Sequence, residues 1–168
     1  MTVNSIDVAN FYIELFKESE DPMTRIRMQK FLYFAQAESM VRLNHMLFED
    51  DFEAWHCGPI IIKIEEQFCN LNDYEPIMAA VGRYDIHVFS SEQLELLMDV
   101  AKFCGKYSNT ELSRFICVPG GPYESVHSKE VTPAKITKNS IKTFYEAHDI
   151  VPGYTQCNRE SRIGRAYR

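Results

Sequence analysis

Met28-Gln29-Lys30-Phe31-Leu32-Tyr33-Phe34-Ala35-Gln36 and, shortly after it, Ala54-Trp55-His56-Cys57-Gly58-Pro59-Ile60-Ile61 are the two stretches on which the fold of this chain turns. The first places Met28, Phe31, Leu32 and Ala35 at the i, i+3, i+4, i+7 spacing of one helix face, and Tyr33 and Phe34 widen the apolar stripe. So broad a stripe predicts a central helix. The second stretch carries the only Trp of the chain and then a Gly-Pro pair. Proline has its φ preset for the first helical position and needs no amide partner there, so a new helix is expected to begin at Pro59.

Outward from these stretches, Asn4 can cap a first helix in which Val8, Phe11, Tyr12, Leu15 and Phe16 recur at helical spacing. Thr24 is the expected cap of the central helix, which can run to Leu43 before Asn44. The stretch from Met46 to Trp55 reads as a loop or a short edge strand. A third helix is expected from Pro59 to about Asn70, burying Ile60, Ile61, Ile64 and Phe68, and a short extended piece within 80–89. Ser90-x-x-Gln93 and Ser108-x-x-Glu111 are capping boxes. They open a helix that ends at Gly105 with Leu94, Leu97, Val100, Ala101 and Cys104 on one face, and a short one carrying Leu112, Phe115 and Ile116. Thr137 opens the last helix, with Ile141, Phe144 and Tyr145 facing in. The expectation is a mainly α, single compact domain over 1–150 with about six helices and at most a minor two-stranded element.

The 168 residues are enough to bury one core, and 45% hydrophobic with 25% charged residues is ordinary globular composition. There is no basic and apolar leader after Met1 and no long uncharged apolar run, which predicts a cytoplasmic location away from membranes. The formal net charge of -6 argues against nucleic acid as the partner, because phosphate binding draws on clustered Lys and Arg. The charge is uneven. Residues 151–168 carry Arg159, Arg162, Arg165 and Arg168 against Glu160, so this tail is +3 and the body before it -9. A basic tail on an acidic body can fold back or meet an acidic partner.

The five cysteines form no Cys-x-x-Cys pair and read as reduced, mostly buried thiols. His56 and Cys57 are adjacent, and the other Cys and His stand apart, so no metal-ligand spacing is formed. A cysteine nucleophile could be built from Cys57, or from Cys117 with His127, although side chains adjacent in sequence usually point apart. Gly120-Gly121 lies between prolines and lacks the strand-to-helix context of a phosphate loop. Lys30 and Tyr33, three apart on the central helix, read either as a snorkelling Lys beside a half-buried Tyr or as a polar pair facing a partner groove.

Met23-Thr24, the 28–36 block, Leu47-Phe48 and Phe52-Glu53-Ala54-Trp55-His56-Cys57-Gly58-Pro59-Ile60-Ile61 together resemble, in order and in spacing, the signature of the Panacea domain. This is the SocA-like antitoxin family, also found in phage-associated proteins. The likeness extends more loosely over about 5–148 through the Ser90, Ser108 and Ile136-Thr137 helices. Two positions depart from the pattern. Tyr123 follows Pro122 where the family has Trp, and Phe31 replaces the more usual Leu.

The resemblance implies a helical antitoxin that neutralises an adjacently encoded protein toxin by direct binding, with no enzymatic activity and no cofactor. Some relatives are adaptors that hand a toxin to an ATP-dependent protease. The residues pointed to as a partner-binding or motif surface are Lys30, Tyr33, Trp55, Gly58, Pro59 and Tyr123, with Arg159, Arg162 and Arg165 as tail contacts. The alternatives are a small cysteine-dependent enzyme using Cys57 or Cys117 and a phage-associated structural protein.

Overall fold

The computed structural model describes residues 1–127 and 132–150. The tail beyond 150, with Cys157 and the expected contacts of Arg159, Arg162 and Arg165, lies outside the described residues. Among the described residues there are six α-helices and one small sheet. No helix is long and apolar enough to cross a membrane.

Helix α1 (Ser5–Phe16) begins where Asn4 accepts from the Ile6 amide, and buries Val8, Phe11 and Tyr12. Helix α2 (Arg25–Arg42) is capped by Thr24. It gives way to Asn44 at φ 58, a left-handed conformation that Asn adopts more readily than most residues. Every residue from Arg27 to Met40 is buried. The sequence pattern predicts a stripe, but this helix is enclosed on all sides: it packs against α1, α4 (Ser91–Cys104), α5 (Asn109–Ile116), α6 (Lys138–Ala147) and a strand of the sheet. Phe31 joins the aromatic packing of the two helices, edge-to-face with both Tyr12 (5.2 Å) and Phe16 (5.5 Å). Both capping boxes form, opening α4 at Ser90 and α5 at Ser108.

Enclosing a helix that carries Arg27, Gln29, Lys30, Gln36 and Ser39 requires each polar group to find a partner. Gln36 Oε1 accepts from the Leu47 and Phe48 amides (2.9 and 3.3 Å), and its Nε2 donates to the Phe48 carbonyl (2.9 Å). Two turns earlier, Gln29 does the same to Ile61, accepting from its amide (2.9 Å) and donating to its carbonyl (3.2 Å). Arg27 donates to the Tyr107 carbonyl (3.0 Å), pairs with Asp21 (3.0 Å) and lies over the Phe31 ring. The two glutamines thus stand in for backbone partners and pin irregular segments against α2.

Three differences from the sequence expectations have physical reasons. The sheet has three strands in the order β2-β1-β3, with β1 (Phe52–Trp55), β2 (Gly58–Ile60) and β3 (Lys135–Ile136), so β1 is central, not an edge. Its β3 partner comes from far along the chain, which no local pattern announces. Pro59 does not open a helix; it sits in β2, and α3 (Ile62–Gln67) starts three residues later. Pro59 is tolerated there because β2 is an edge strand and Pro59 faces Ala54, whose own amide is turned the other way, toward Ala134 of the β3 side (2.8 Å). The missing donor therefore falls on the outer edge. Residues 80–89 form no strand; Ile86–Val88 is a 3₁₀ turn initiated by Asp85.

Candidate functional site

A two-residue turn, His56-Cys57, joins β1 to β2, with Trp55 paired to Gly58 across its base. Gly58 has φ +120, a conformation that side-chain-bearing residues rarely adopt, and this is what lets so short a connection close. Strand alternation sends Phe52 and Ala54 into the core and leaves Glu53 and Trp55 on the outer face. Trp55 is 39% exposed. Its indole N–H donates to Glu53 Oε2 at 3.0 Å, so the ring is held in place from its own strand.

Two other segments converge behind this tip. Tyr123, buried, donates its hydroxyl to the Trp55 carbonyl at 2.5 Å. Its ring stacks on His127 (centroids 4.8 Å), which meets His56 edge-to-face (5.6 Å). From below, Lys30 of α2 extends its ammonium to the Cys57 carbonyl (3.5 Å) and to the Ile26 carbonyl of its own helix (3.3 Å). Lys30 is 2% exposed and has no carboxylate partner among the described residues. Burial holds its pKa below the ordinary lysine value, opposed by the thiols of Cys57 and Cys117.

Of the residues singled out in the sequence, Lys30, Trp55, Gly58, Pro59 and Tyr123 are thus brought to one place. Tyr33 is not. It is fully buried further along α2, edge-to-face with Phe52 (5.3 Å) and Tyr145 (6.1 Å), and burial drives its phenol pKa well up. Lys30 and Tyr33 do not form a polar pair on an open groove: one supports the hairpin turn from beneath and the other is core.

The expectation of mostly buried thiols is corrected. Cys104 is buried, whereas Cys57, Cys69 and Cys117 are exposed. They occupy a hairpin turn, the end of α3 and the end of α5, where a chain reversal leaves the residue at the surface. Desolvation of the sulfur nonetheless raises the pKa of both Cys57 and Cys117, away from the thiolate a nucleophile needs. Neither thiol is hydrogen-bonded to a histidine among the described residues, and no three His, Cys, Asp or Glu side chains there converge in a way that could hold a metal ion.

The family model described as antitoxin SocA-like, Panacea domain, matches residues 28–120, more than half of the chain. The chain belongs to the Panacea family. The matched span begins at Met28 on α2 and runs through the hairpin to the loop just before Tyr123, so it takes in most of α2, the hairpin, α3, α4 and α5. No curated protein and no solved structure matches this Panacea domain.

The sequence reading named His56 and His127 only as possible bases for Cys57 and Cys117; it did not anticipate Glu53 in the Panacea hairpin or the contact between the two histidines. Glu53 had a usable signal, since strand alternation from Trp55 puts it on the same face two residues away. The His127 contact had none, because it depends on where the segment after α5 meets the hairpin.

Proposed function

We propose that this Panacea domain is the antitoxin of a toxin-antitoxin pair and neutralises a protein toxin by binding it directly, without catalysis. The observation that carries the reading is the Panacea match over residues 28–120, a span that includes the hairpin on which Trp55 is exposed. Tryptophan is among the residue types that most often anchor protein interfaces, and here its ring is pre-positioned by Glu53 and by the Tyr123 bond to its own carbonyl. Little conformational freedom is left to lose on binding. The thiols, raised in pKa and without an imidazole partner among the described residues, support a binding module over a cysteine-dependent enzyme. Neutralisation takes place in the cytoplasm, and delivery of the bound toxin to an ATP-dependent protease is a further step open to an adaptor of this family.

Co-expression with the product of each adjacent gene tests the proposal. One neighbour is expected to arrest growth alone, to be rescued by this chain, and to co-purify with it. If no neighbouring product is toxic or bound, the antitoxin reading fails.

A further inference from the structure

The outer face of β1 holds two groups that complement a single kind of side chain. The Trp55 ring is 39% exposed, and its one hydrogen-bond donor is already satisfied by Glu53. What it still offers is its π face. The residue directly across the ladder is Gly58, which has no side chain to cover that ring. Glu53, having accepted the indole N–H, has no ion pair among the described residues. The cation nearest to it by register is Lys135 on β3, and that ammonium is drawn to Asp51 at 3.2 Å. An indole ring beside a carboxylate that forms no ion pair among the described residues attracts a planar cation: the ring quadrupole takes the charge from above while the carboxylate takes the N–H groups at the edge. Arginine fits both halves, because its guanidinium stacks flat on an aromatic ring and still donates in its own plane.

We infer that Trp55 and Glu53 form a receptor for an arginine side chain presented by the protein that this chain binds. This rests on the antitoxin reading for the identity of the partner, and on charge for its chemistry, since the body before residue 151 carries -9 and favours a partner with a basic surface. Arginine insertion there fixes the register of the complex and makes its association depend on ionic strength.

Because Trp55 is the only tryptophan, fluorescence excited at the red edge of the indole band, where the tyrosines do not absorb, reports this site alone. The full chain is titrated at low salt with acetyl-triarginine-amide, with acetyl-triglutamate-amide as the control, and the titration is repeated with Glu53→Gln. Glutamine keeps an acceptor for the indole N–H while removing the charge, so the fold is preserved and circular dichroism is expected to be unchanged. Triarginine should give a saturable change that Glu53→Gln weakens about five-fold or more, and triglutamate none.

No saturable response, or equal affinity in Glu53→Gln, overturns the receptor. A response that emerges only when Arg159, Arg162 and Arg165 are all changed to Glu also overturns it, by assigning the site to the chain's own tail. The two proposals fail separately. Loss of the triarginine response alongside intact toxin rescue leaves the antitoxin and removes the receptor; a normal response without a toxic neighbour does the opposite.

Discussion

Gln36 clamps both backbone polar groups of Phe48, accepting from the Phe48 amide at 3.3 Å and donating to its carbonyl at 2.9 Å, while the same Oε1 also takes the Leu47 amide at 2.9 Å. A buried amide side chain here replaces a missing strand. The Leu47-Phe48 part of the loop can therefore be buried without leaving those backbone groups unpaired.

Replacing Gln36 by Leu keeps the volume but strands two donors and an acceptor in a dry site, which costs about 2–4 kcal/mol in total after partial relaxation. Urea denaturation of Gln36→Leu should show the midpoint falling with little change in slope. A loss under about 0.5 kcal/mol would mean that water replaces the clamp.

Tyr123→Phe removes the hydrogen bond to the Trp55 carbonyl and should cost about 1 kcal/mol. It also has a pH signature. Burial raises the Tyr123 phenol to about 12, above its ordinary value of 10.0. A folded pKa above the unfolded one means that the folded state holds the proton more tightly. The stabilisation is therefore complete below pH 10 and is lost as the pH rises toward about 12. Stability curves of the two proteins should converge across that interval; parallel curves would show that the hydroxyl is not held.

Lys30 gives the opposite sign. Its pKa is lowered by burial, so the unfolded chain binds the proton more readily and the charged amine opposes folding at neutral pH. Parent stability should rise relative to Lys30→Met as the pH climbs toward about 10, with a slope of at most about 1.4 kcal/mol per pH unit for the single proton involved. A gap that stays constant from about pH 7 to about pH 10 would refute the depressed pKa.

Ser90→Ala breaks the capping box that opens α4, where Ser90 accepts from Gln93 and the Gln93 side chain accepts from Ser90 in return. The expected cost is about 1 kcal/mol, read from thermal or urea unfolding. Gln93 also donates to the Met1 carbonyl, so hydrogen exchange in residues 1–4 should accelerate in the same variant. Unchanged exchange there would uncouple the cap from the N-terminus.

The amino-acid order alone determined whatever depends on neighbours a few residues apart. The caps at Asn4, Thr24, Ser90, Ser108 and Thr137 all form as read, because a capping side chain reaches only two or three residues along its own chain. The Panacea resemblance was legible for the same reason, its motif lying on two adjacent elements. Tertiary structure decided what depends on partners far away in sequence. It made Pro59 a strand residue, since edge position and register choose which amide can be spared. It made β1 central, because β3 arrives from residues 135–136. It enclosed α2 on every side, turning Lys30 and Tyr33 from a surface pair into a buried support and a core ring. And it set His127 against His56 beside the hairpin, a contact between segments about seventy residues apart, whereas the pairing of Trp55 with Glu53 on the outer face follows from strand alternation alone.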